Sequence, residues 1–437
     1  MVQLKKFAGT RSRIEPHLLP RSFVVRMVLV LTLGVHMIPS AEAQPTTHDQ
    51  GTFRVTPFGG GRPSAEDVRP GIRKLFDAEP ACATGPCLPR AREDQFVRDA
   101  LNWHAELRAI AAGYEGRDMS YTYTKLPWDS FNPLQRIDFA FPSMIQSGHG
   151  ENNDFVRGIH LLPRPVWCGM RFPTLVIVHS ALDNLAQDEL SLAANLVSLS
   201  QKMAVLIVYL PHYGPRRNVD ARLQGQSPQD TNIEFFTPEL GTLKRNVTQT
   251  MLDLHLALDW LEARKTADPE HTAMLGLSLG SLLQLLFEGV NPGRVGKGHV
   301  SFVGGGDLAT IMSKYFHAYP QDLLTTIWKR RGWNEEFVRK NLNSIDPIAW
   351  SHRIRGQDVL YIGAEQDEIM DRHKSVQRLL NGLSAGSRVN ERWLNTRHAP
   401  RDASLLELYF SLFLPIQQYV LRDVPPLMSY PHERACD

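Results

Sequence analysis

The amino-acid sequence predicts an α/β protein built on a mostly parallel, doubly wound sheet. Two uninterrupted runs of β-branched and leucine residues, "TLVIVHSA" (174–181) and "AVLIVYLP" (204–211), are typical of strands buried on both faces of a parallel sheet. The amphipathic segment 189–202 separates these runs and predicts a crossover helix. Strand and helix patterns then alternate towards the carboxyl terminus, as they do in a doubly wound sheet.

The first 43 residues have the pattern of a secretory signal peptide. Arg21 and Arg26 precede the apolar run "MVLVLTLGV", and "PSAEAQ" supplies a small-x-small cleavage site before Gln44. The apolar run is short for a membrane span, so membrane attachment is expected only if this segment stays uncleaved. The pattern predicts a secreted or periplasmic protein.

Residues 44–92 are rich in Gly, Pro, Thr and Arg and have little apolar periodicity, which predicts a flexible leader. Within this stretch, "CATGPC" brings Cys82 and Cys87 close together. A local disulfide is expected in an oxidising compartment, and a reduced pair is the alternative. Cys168 and Cys436 either pair or stay free. The spacing does not fit a zinc site, because no histidine or second cysteine pair lies nearby in the sequence.

The folded domain is predicted to span residues 93–437. It begins with a helix whose inward positions include Phe96 and Trp103, and two short strands, 136–143 and 155–163, follow as an antiparallel pair. After the two buried strands, one long helix has an apolar face made by Leu243, Val247, Met251, Leu254, Leu258 and Leu261. Strands then follow at "TAMLGL", "HVSFVGGGD", "DVLYIGAEQDE" and "RVNERWLN".

One interval is too long for a single crossover helix. Residues 309–350 are helical in pattern and carry several aromatic residues, among them Trp328 and Trp333. We expect a small helical cap inserted above the sheet. Its aromatic side chains either line a pocket or seal the cap onto the body.

Charge and composition exclude some classes of partner. The 437 residues carry a formal net charge of +2, with 22% charged residues and neither a basic stripe nor an acidic tail. Nucleic-acid binding is therefore not expected. The sequence predicts no oligomeric state.

The stretch "TAMLGLSLGS" (272–281) places Ser278 in a G-x-S-x-G pattern between a predicted strand and a predicted helix. The five-residue pattern alone is a weak signal, but a serine on a sharp strand-to-helix turn stands clear of the sheet as a nucleophile must. Gly276 and Gly280 are expected because a β-carbon at either position would clash with neighbouring backbone. Ser278 is therefore a candidate nucleophile.

A serine nucleophile requires a base and an acid that orients the base. Asp367 follows the strand "VLYIGA", and His398 follows the last strand, which gives the chain order serine, aspartate, histidine. Asp371 is the main competitor for the acid, with Glu365 and Glu368 as further rivals. His179 is expected to be a structural histidine that hydrogen-bonds its loop, and His373 to be solvated.

From about Arg136 onwards the chain resembles the α/β-hydrolase superfamily, in particular its esterase, dienelactone-hydrolase and acetylxylan-esterase-like branches. The resemblance lies in the β-hairpin start, the "GLSLG" elbow, the insertion after the following strand, and the acid and histidine at strand ends. It implies a fold of about eight strands and a triad of Ser278, Asp367 and His398. It implies neither a metal nor an organic cofactor.

The same resemblance implies an oxyanion hole made by two backbone N–H groups. Leu279 supplies one, and the turn "HSALDN", which resembles the family's His-Gly-x turn, supplies the other from Ala181, with Leu182 as an alternative. Ser180 departs from the family's usual glycine.

The segment "LPHYGPRR" (210–217) emerges at the same sheet edge as Ser278. His212, Tyr213 and Arg216 are expected to border the substrate pocket, with an arginine binding a carboxylate or a carbohydrate; the alternative is a plain surface turn. The predicted function is an exported serine hydrolase that cleaves a small-molecule, carbohydrate or lipid ester. A peptidase, amidase or thioesterase of the same fold and a non-catalytic binding protein remain the alternatives.

Overall fold

The computed structural model describes residues 47–59, 61–76, 89–125, 134–146, 152–163, 170–181, 185–200, 202–217, 235, 239–318, 323–398 and 409–424. The predicted signal peptide, the four cysteines and Leu182 lie outside these residues. The disulfide and the cleavage site therefore stay predictions.

Among the described residues, ten strands form one sheet in the order β1-β2-β3-β4-β6-β5-β7-β8-β9-β10. Their bounds are β1 (Thr47–Arg54), β2 (Asp118–Lys125), β3 (Leu134–Pro142), β4 (Phe155–Pro163), β5 (Phe172–Val178), β6 (Ala204–Val208), β7 (Ala267–Leu277), β8 (Gly298–Phe302), β9 (Asp358–Ala364) and β10 (Arg388–Leu394). Pairings from β1 to β6 along this order are antiparallel, and those from β6 to β10 are parallel. The α/β class and the antiparallel pair β3–β4 are confirmed.

The helices connect these strands and cover both faces of the sheet. Their bounds are α1 (Ala65–Phe76), α2 (Arg90–Ala112), α3 (Leu185–Ser200), α4 (Leu240–Ala263), α5 (Leu279–Val290), α6 (Leu308–Ala318), α7 (Leu323–Arg330), α8 (Glu335–Leu342), α9 (Pro347–Trp350), α10 (Arg378–Leu383) and α11 (Leu414–Leu421). Short 3₁₀ turns lie at Asn152–Asp154, Gly214–Arg216, Asn343–Ile345 and Ser351–Arg353, and π-helical turns lie at Arg372–Gln377 and Tyr409–Phe413.

The sheet separates two apolar cores, as its alternating side chains require. In β5, Val176 and Val178 pack into a core with α1, α2, α4 and α5, whereas Leu175 and Ile177 pack into a second core with α3 and α11. Both faces of the central strands are thus covered by helices. This is the doubly wound arrangement that the continuous apolar runs predict.

The prediction that residues 44–92 form a flexible leader is wrong for residues 47–59 and 61–76. Strand β1 pairs with β2 along its whole length, and α1 buries Val68, Ile72 and Leu75. Apolar spacing in α1 is helical, but Pro70 and Gly71 interrupt the pattern with the two residues that most disfavour helices. Gly71 is needed there, because a β-carbon would lie 2.3 Å from the carbonyl oxygen of Ala349.

The expectation of about eight strands is also too low. The two additional strands, β1 and β2, lie next to each other at one edge of the sheet and form an antiparallel pair, although two helices separate them in the chain. Polar residues dominate "THDQGTFR" in β1, so its pairing with β2 rather than an apolar alternation defines it as a strand. The domain therefore includes residues from Thr47 onwards.

The interval between β8 and β9 holds the helices α6 to α9. Within it, Trp328 is 1% exposed and its ring lies 5.7 Å from that of the half-buried Trp333, between centroids. Trp328 thus seals the interval onto the body rather than lining an open pocket. That these helices form a cap above the site stays a prediction.

Register brings the carboxyl ends of the central strands to one edge. Val178 of β5 pairs with Gly276 of β7, and Leu277 pairs with Phe302 of β8. Phe302 pairs in turn with Ile362 of β9, and Ala364 with Leu394 of β10. Loops that follow β5, β7, β8, β9 and β10 therefore converge, which is where ligands bind in open α/β sheets.

Candidate active site

Ser278 lies at the sharp turn between β7 and α5. Its φ of 51° and ψ of −109° are a strained conformation for a residue with a side chain. The Ser278 N–H donates to the carbonyl of Phe302 at 2.9 Å, which holds the turn against β8. The serine is half-buried, so its hydroxyl stands at the end of the sheet rather than inside the core.

Close backbone packing explains both glycines of the turn. A β-carbon on Gly276 would lie 2.4 Å from the carbonyl oxygen of Gly280, and one on Gly280 would lie 1.9 Å from that of Val178. Both distances are far below van der Waals contact. The glycines let α5 start directly against the ends of β5 and β7.

The predicted base and acid lie within hydrogen-bond distance of each other and of the serine. Ser278 Oγ is 2.8 Å from His398 Nε2, and His398 Nδ1 is 2.8 Å from Asp367 Oδ2. With the ring proton on Nδ1, Nε2 accepts from the serine hydroxyl and Nδ1 donates to the carboxylate. The histidine side chain is 11% exposed and the aspartate 5%, so the base and the acid are largely shielded from water.

Asp367 is fixed by its own backbone neighbours. Its Oδ1 accepts the N–H groups of Ile369 and Met370 at 2.9 and 2.7 Å, which leaves Oδ2 aimed at the histidine. The rival Asp371 instead accepts the N–H groups of His373 and Lys374 at 3.0 and 2.8 Å at the start of the π-helical turn. Of these two carboxylates, only Asp367 contacts His398.

Glu368 has a role that the sequence analysis missed. Its Oε2 accepts the backbone N–H of His398 at 3.3 Å, so adjacent carboxylates hold the ring and the backbone of the same histidine. Its place directly after Asp367 is the sequence signal for this contact. His373 is exposed, as predicted.

Backbone N–H groups for an oxyanion are expected at Leu279 and Ala181. Leu279 is the first residue of α5, and Ala181 is half-buried just beyond the end of β5. The carbonyl oxygen of His179 would lie only 2.6 Å from a β-carbon on Gly280, so this turn packs against the start of α5. The two candidate donors therefore belong to segments that contact each other.

His179 is a structural histidine, as predicted. Its Nδ1 is 2.7 Å from the Ser180 carbonyl oxygen, and its Nε2 accepts the Leu210 N–H at 3.0 Å. Burial lowers the pKa of His179 to about 4, against the hydrogen bond to Ser180, with a smaller contribution from the charge of Arg216. The ring is thus neutral, with its proton on Nδ1, at any pH near neutrality.

The prediction that Arg216 binds a substrate carboxylate or carbohydrate is wrong. Its side chain is 0% exposed, and its guanidinium donates to Asp253 Oδ2 at 2.7 Å and to the carbonyls of Tyr209 and Asn153, both at 3.0 Å. Burial raises the pKa of Asp253, against the nearby charge of Arg216 and its hydrogen bonds. The arginine is a structural cation whose two terminal nitrogen atoms both donate inside the protein.

Tyr213 does not line an open pocket either, since it is 2% exposed and packs against His179 and Phe235. His212 is half-buried with a φ of 66°, and its N–H donates to Asn153 Oδ1 at 3.0 Å. Tyr213 is therefore excluded from the substrate-binding set, and His212 stays in it as a prediction. The segment "LPHYGPRR" gives no sign that Arg216 is buried, because its ion-pair partner Asp253 lies in the distant helix α4.

An apolar cavity of about 20 Å³ lies beside the turn. Leu279 lines it from the start of α5, Leu308 and Met312 from α6, and Phe235 with residues of α4 from the opposite side. Leu279, whose backbone N–H is a candidate oxyanion donor, thus also lines this apolar cavity.

Within the part of the chain that the structure describes, no helix combines the length and apolarity required to cross a membrane. Nowhere among the same residues do three or more His, Cys, Asp or Glu side chains come together as metal ligands.

Comparison with known proteins shows the fold. No protein-family model matches the chain, and no curated protein matches it. Among solved structures, an acetyl xylan esterase from Paenibacillus sp. R4 is 17% identical, with a TM-score of 0.53 over 76% of this chain and 99% of that chain. Acetyl xylan esterase 1 from Thermoanaerobacterium sp. is 14% identical, with a TM-score of 0.48 over 82% of this chain and 96% of that chain. A putative dienelactone hydrolase from Klebsiella pneumoniae is 12% identical, with a TM-score of 0.44 over 67% of this chain and 100% of that chain. The chain has the α/β-hydrolase fold.

Proposed function

We propose that this protein is a serine hydrolase that cleaves a carboxylic ester through an acyl-enzyme on Ser278. The observation that carries the proposal is the hydrogen-bonded series Ser278–His398–Asp367, with 2.8 Å at each step, on a strained strand-to-helix turn. A serine, a base and an orienting acid in this geometry form the arrangement that activates a hydroxyl at neutral pH.

The reaction follows from these contacts. His398 Nε2 takes the proton of Ser278 Oγ as the oxygen attacks the ester carbonyl, while Asp367 stabilises the charged imidazole. The N–H groups of Leu279 and Ala181 donate to the oxyanion of the tetrahedral intermediate. His398 then returns the proton to the leaving alcohol. Water attacks the acyl-enzyme by the same route and releases the acid.

We infer that the substrate carries a short acyl group, from the apolar cavity that Leu279 lines next to Ser278 in the chain. The apolar cavity beside Leu279 accommodates a group of about methyl size. The similar structure from Paenibacillus is that of an acetyl xylan esterase, so an acetylated carbohydrate is the first natural substrate to try. Export through the predicted signal peptide would bring the enzyme to an extracellular polymer, and it predicts a mature chain that begins at Gln44.

The test is a panel of p-nitrophenyl esters from acetate to palmitate, with a matched p-nitroanilide and a thioester, run on wild type and Ser278→Ala. We expect kcat/KM to be highest for acetate and the Ser278→Ala rate to fall to background. Equal rates on the ester and the anilide would favour a peptidase or amidase, and a preference for the thioester would favour a thioesterase. Unchanged hydrolysis by Ser278→Ala would overturn the proposal.

A further inference from the structure

The His179 ring is held at both of its nitrogen atoms. Nδ1–H donates to the Ser180 carbonyl at 2.7 Å, and Nε2 accepts the Leu210 N–H at 3.0 Å. The residue is 3% exposed, and the Tyr213 ring packs edge-on against it with 5.0 Å between centroids. One tautomer and one orientation of the ring satisfy all of these contacts.

The Ser180 carbonyl belongs to the same peptide unit as the Ala181 N–H. A trans peptide is planar, so its carbonyl and its N–H point in opposite directions, and a hydrogen bond to one fixes the direction of the other. This peptide lies beyond the last ladder pair of β5, Val178 with Gly276, so the sheet itself does not orient it. The imidazole supplies the orientation that the sheet does not.

A buried ion pair in turn holds the backbone that holds His179. The guanidinium of Arg216 donates to the Tyr209 carbonyl at 3.0 Å and to Asp253 at 2.7 Å. Tyr209 directly precedes Leu210, whose N–H reaches the imidazole. The segment that contains Tyr209, Leu210 and Arg216 therefore connects α4, through Asp253, to the turn after β5.

From this series of contacts we infer that His179 is a positioning residue that aims the Ala181 N–H at the oxyanion. The inference rests on the proposed function, because an oxyanion forms only if Ser278 attacks a carbonyl. His179 touches no reacting atom and acts through the Ser180–Ala181 peptide. It should affect the transition state more than substrate binding, since the negative charge develops only there.

A matched pair of substitutions tests this role. In His179→Asn, the amide nitrogen is as many bonds from Cβ as Nδ1 and can still donate to the Ser180 carbonyl. In His179→Gln, the amide lies one bond further out, so that donation is lost. For p-nitrophenyl acetate, we expect kcat of His179→Gln to fall by about 10- to 100-fold and that of His179→Asn to stay within about threefold of wild type. KM should change little in either variant.

Two further measurements separate positioning from folding. The inhibition constant of phenylboronic acid, which forms a tetrahedral adduct on the serine, should rise in His179→Gln by the factor by which kcat/KM falls. Tyr213→Leu removes the ring that packs on His179 and leaves both of its hydrogen bonds, so kcat should stay within about threefold of wild type. Circular dichroism establishes that each variant is folded.

Three results would overturn the inference: equal losses of kcat in the Asn and Gln variants, a folded Gln variant with wild-type kcat, or a folded Tyr213→Leu variant that loses as much kcat as the Gln variant. Ser278→Ala distinguishes these results from failure of the proposed function. If Ser278→Ala is inactive while the His179 variants are not impaired, only the positioning role fails. If Ser278→Ala keeps wild-type activity, the proposed function fails as well.

Discussion

Asp367 Oδ2 lies 2.8 Å from Nδ1 of His398, and the other carboxylate oxygen accepts two backbone N–H groups. The carboxylate therefore has one oxygen committed to holding its own loop and one committed to the imidazole. Asp371, four residues further on, is used in capping the π-helical turn that follows. The structure thus separates two carboxylates that the sequence places almost together.

Asp367→Asn should abolish most of the activity while Asp371→Asn should not. An amide at position 367 cannot stabilise the charged imidazole and favours the wrong tautomer, so kcat on p-nitrophenyl acetate should fall by about 10³- to 10⁴-fold. Asp371→Asn keeps an oxygen that can accept the same N–H groups, and its kcat should stay within about twofold of wild type. Equal losses in the two variants would contradict the assignment of the acid.

Gly280→Ala should destabilise the protein, because the added methyl would lie 1.9 Å from the Val178 carbonyl oxygen. We expect the free energy of unfolding in urea to fall by at least about 2 kcal/mol. Gly241→Ala is the matched control: it lies in the first turn of α4, and a β-carbon there meets nothing within 4 Å. The control should gain about 0.5–1 kcal/mol from helix propensity. A Gly280→Ala variant as stable as wild type would contradict the close packing of α5 on β5.

Arg216→Met should destabilise the fold without changing the affinity for substrate. It leaves Asp253 buried without its cation, which we expect to lower the free energy of unfolding by about 3–5 kcal/mol. The double variant Arg216→Met/Asp253→Leu removes both charges and should lose less. KM for p-nitrophenyl acetate should stay within about twofold of wild type, since the side chain is 0% exposed. A large rise in KM in a folded variant would restore the substrate-binding role that the structure excludes.

His160→Leu should make the protein more resistant to acid. Burial, with a smaller contribution from the charge of Arg264, lowers the pKa of His160 to about 3. The native histidine is then neutral at pH 5 while the unfolded one, with a pKa near 6.5, binds a proton, so stability falls as pH drops below about 6.5. Leucine removes that loss. The free energy of unfolding of His160→Leu minus that of wild type, measured in urea, should therefore be larger at pH 5 than at pH 8. An equal difference at the two pH values would rule out this cause.

The candidate site was largely predictable, because its three side chains follow strands that the sequence pattern predicts. Ser278 directly follows the apolar end of β7, Asp367 comes shortly after the apolar β9, and His398 comes shortly after the last predicted strand. Parallel strands bring their carboxyl ends to one edge. Elements whose formation depends on distant partners were not predictable in this way. Strand β1 is defined by its pairing with β2, and α1 carries Gly71 because Ala349 approaches its backbone closely.

The status of Arg216 shows the same limit for a single side chain. In the sequence it is one of two adjacent arginines in a Gly-Pro turn, which is typical of a surface loop. Its burial depends on Asp253, which itself accepts from Ser143 Oγ at 2.6 Å. Local sequence carries no sign of such a network, because its members come from three separate segments of the chain.

The most direct test of the central claim is covalent labelling of the folded wild-type protein with a fluorophosphonate, followed by peptide mass spectrometry. We predict a single adduct on Ser278, formed far more slowly in His398→Ala, because the imidazole activates the hydroxyl across 2.8 Å. No adduct on Ser278 in a folded sample, or equal labelling rates with and without His398, would contradict the account.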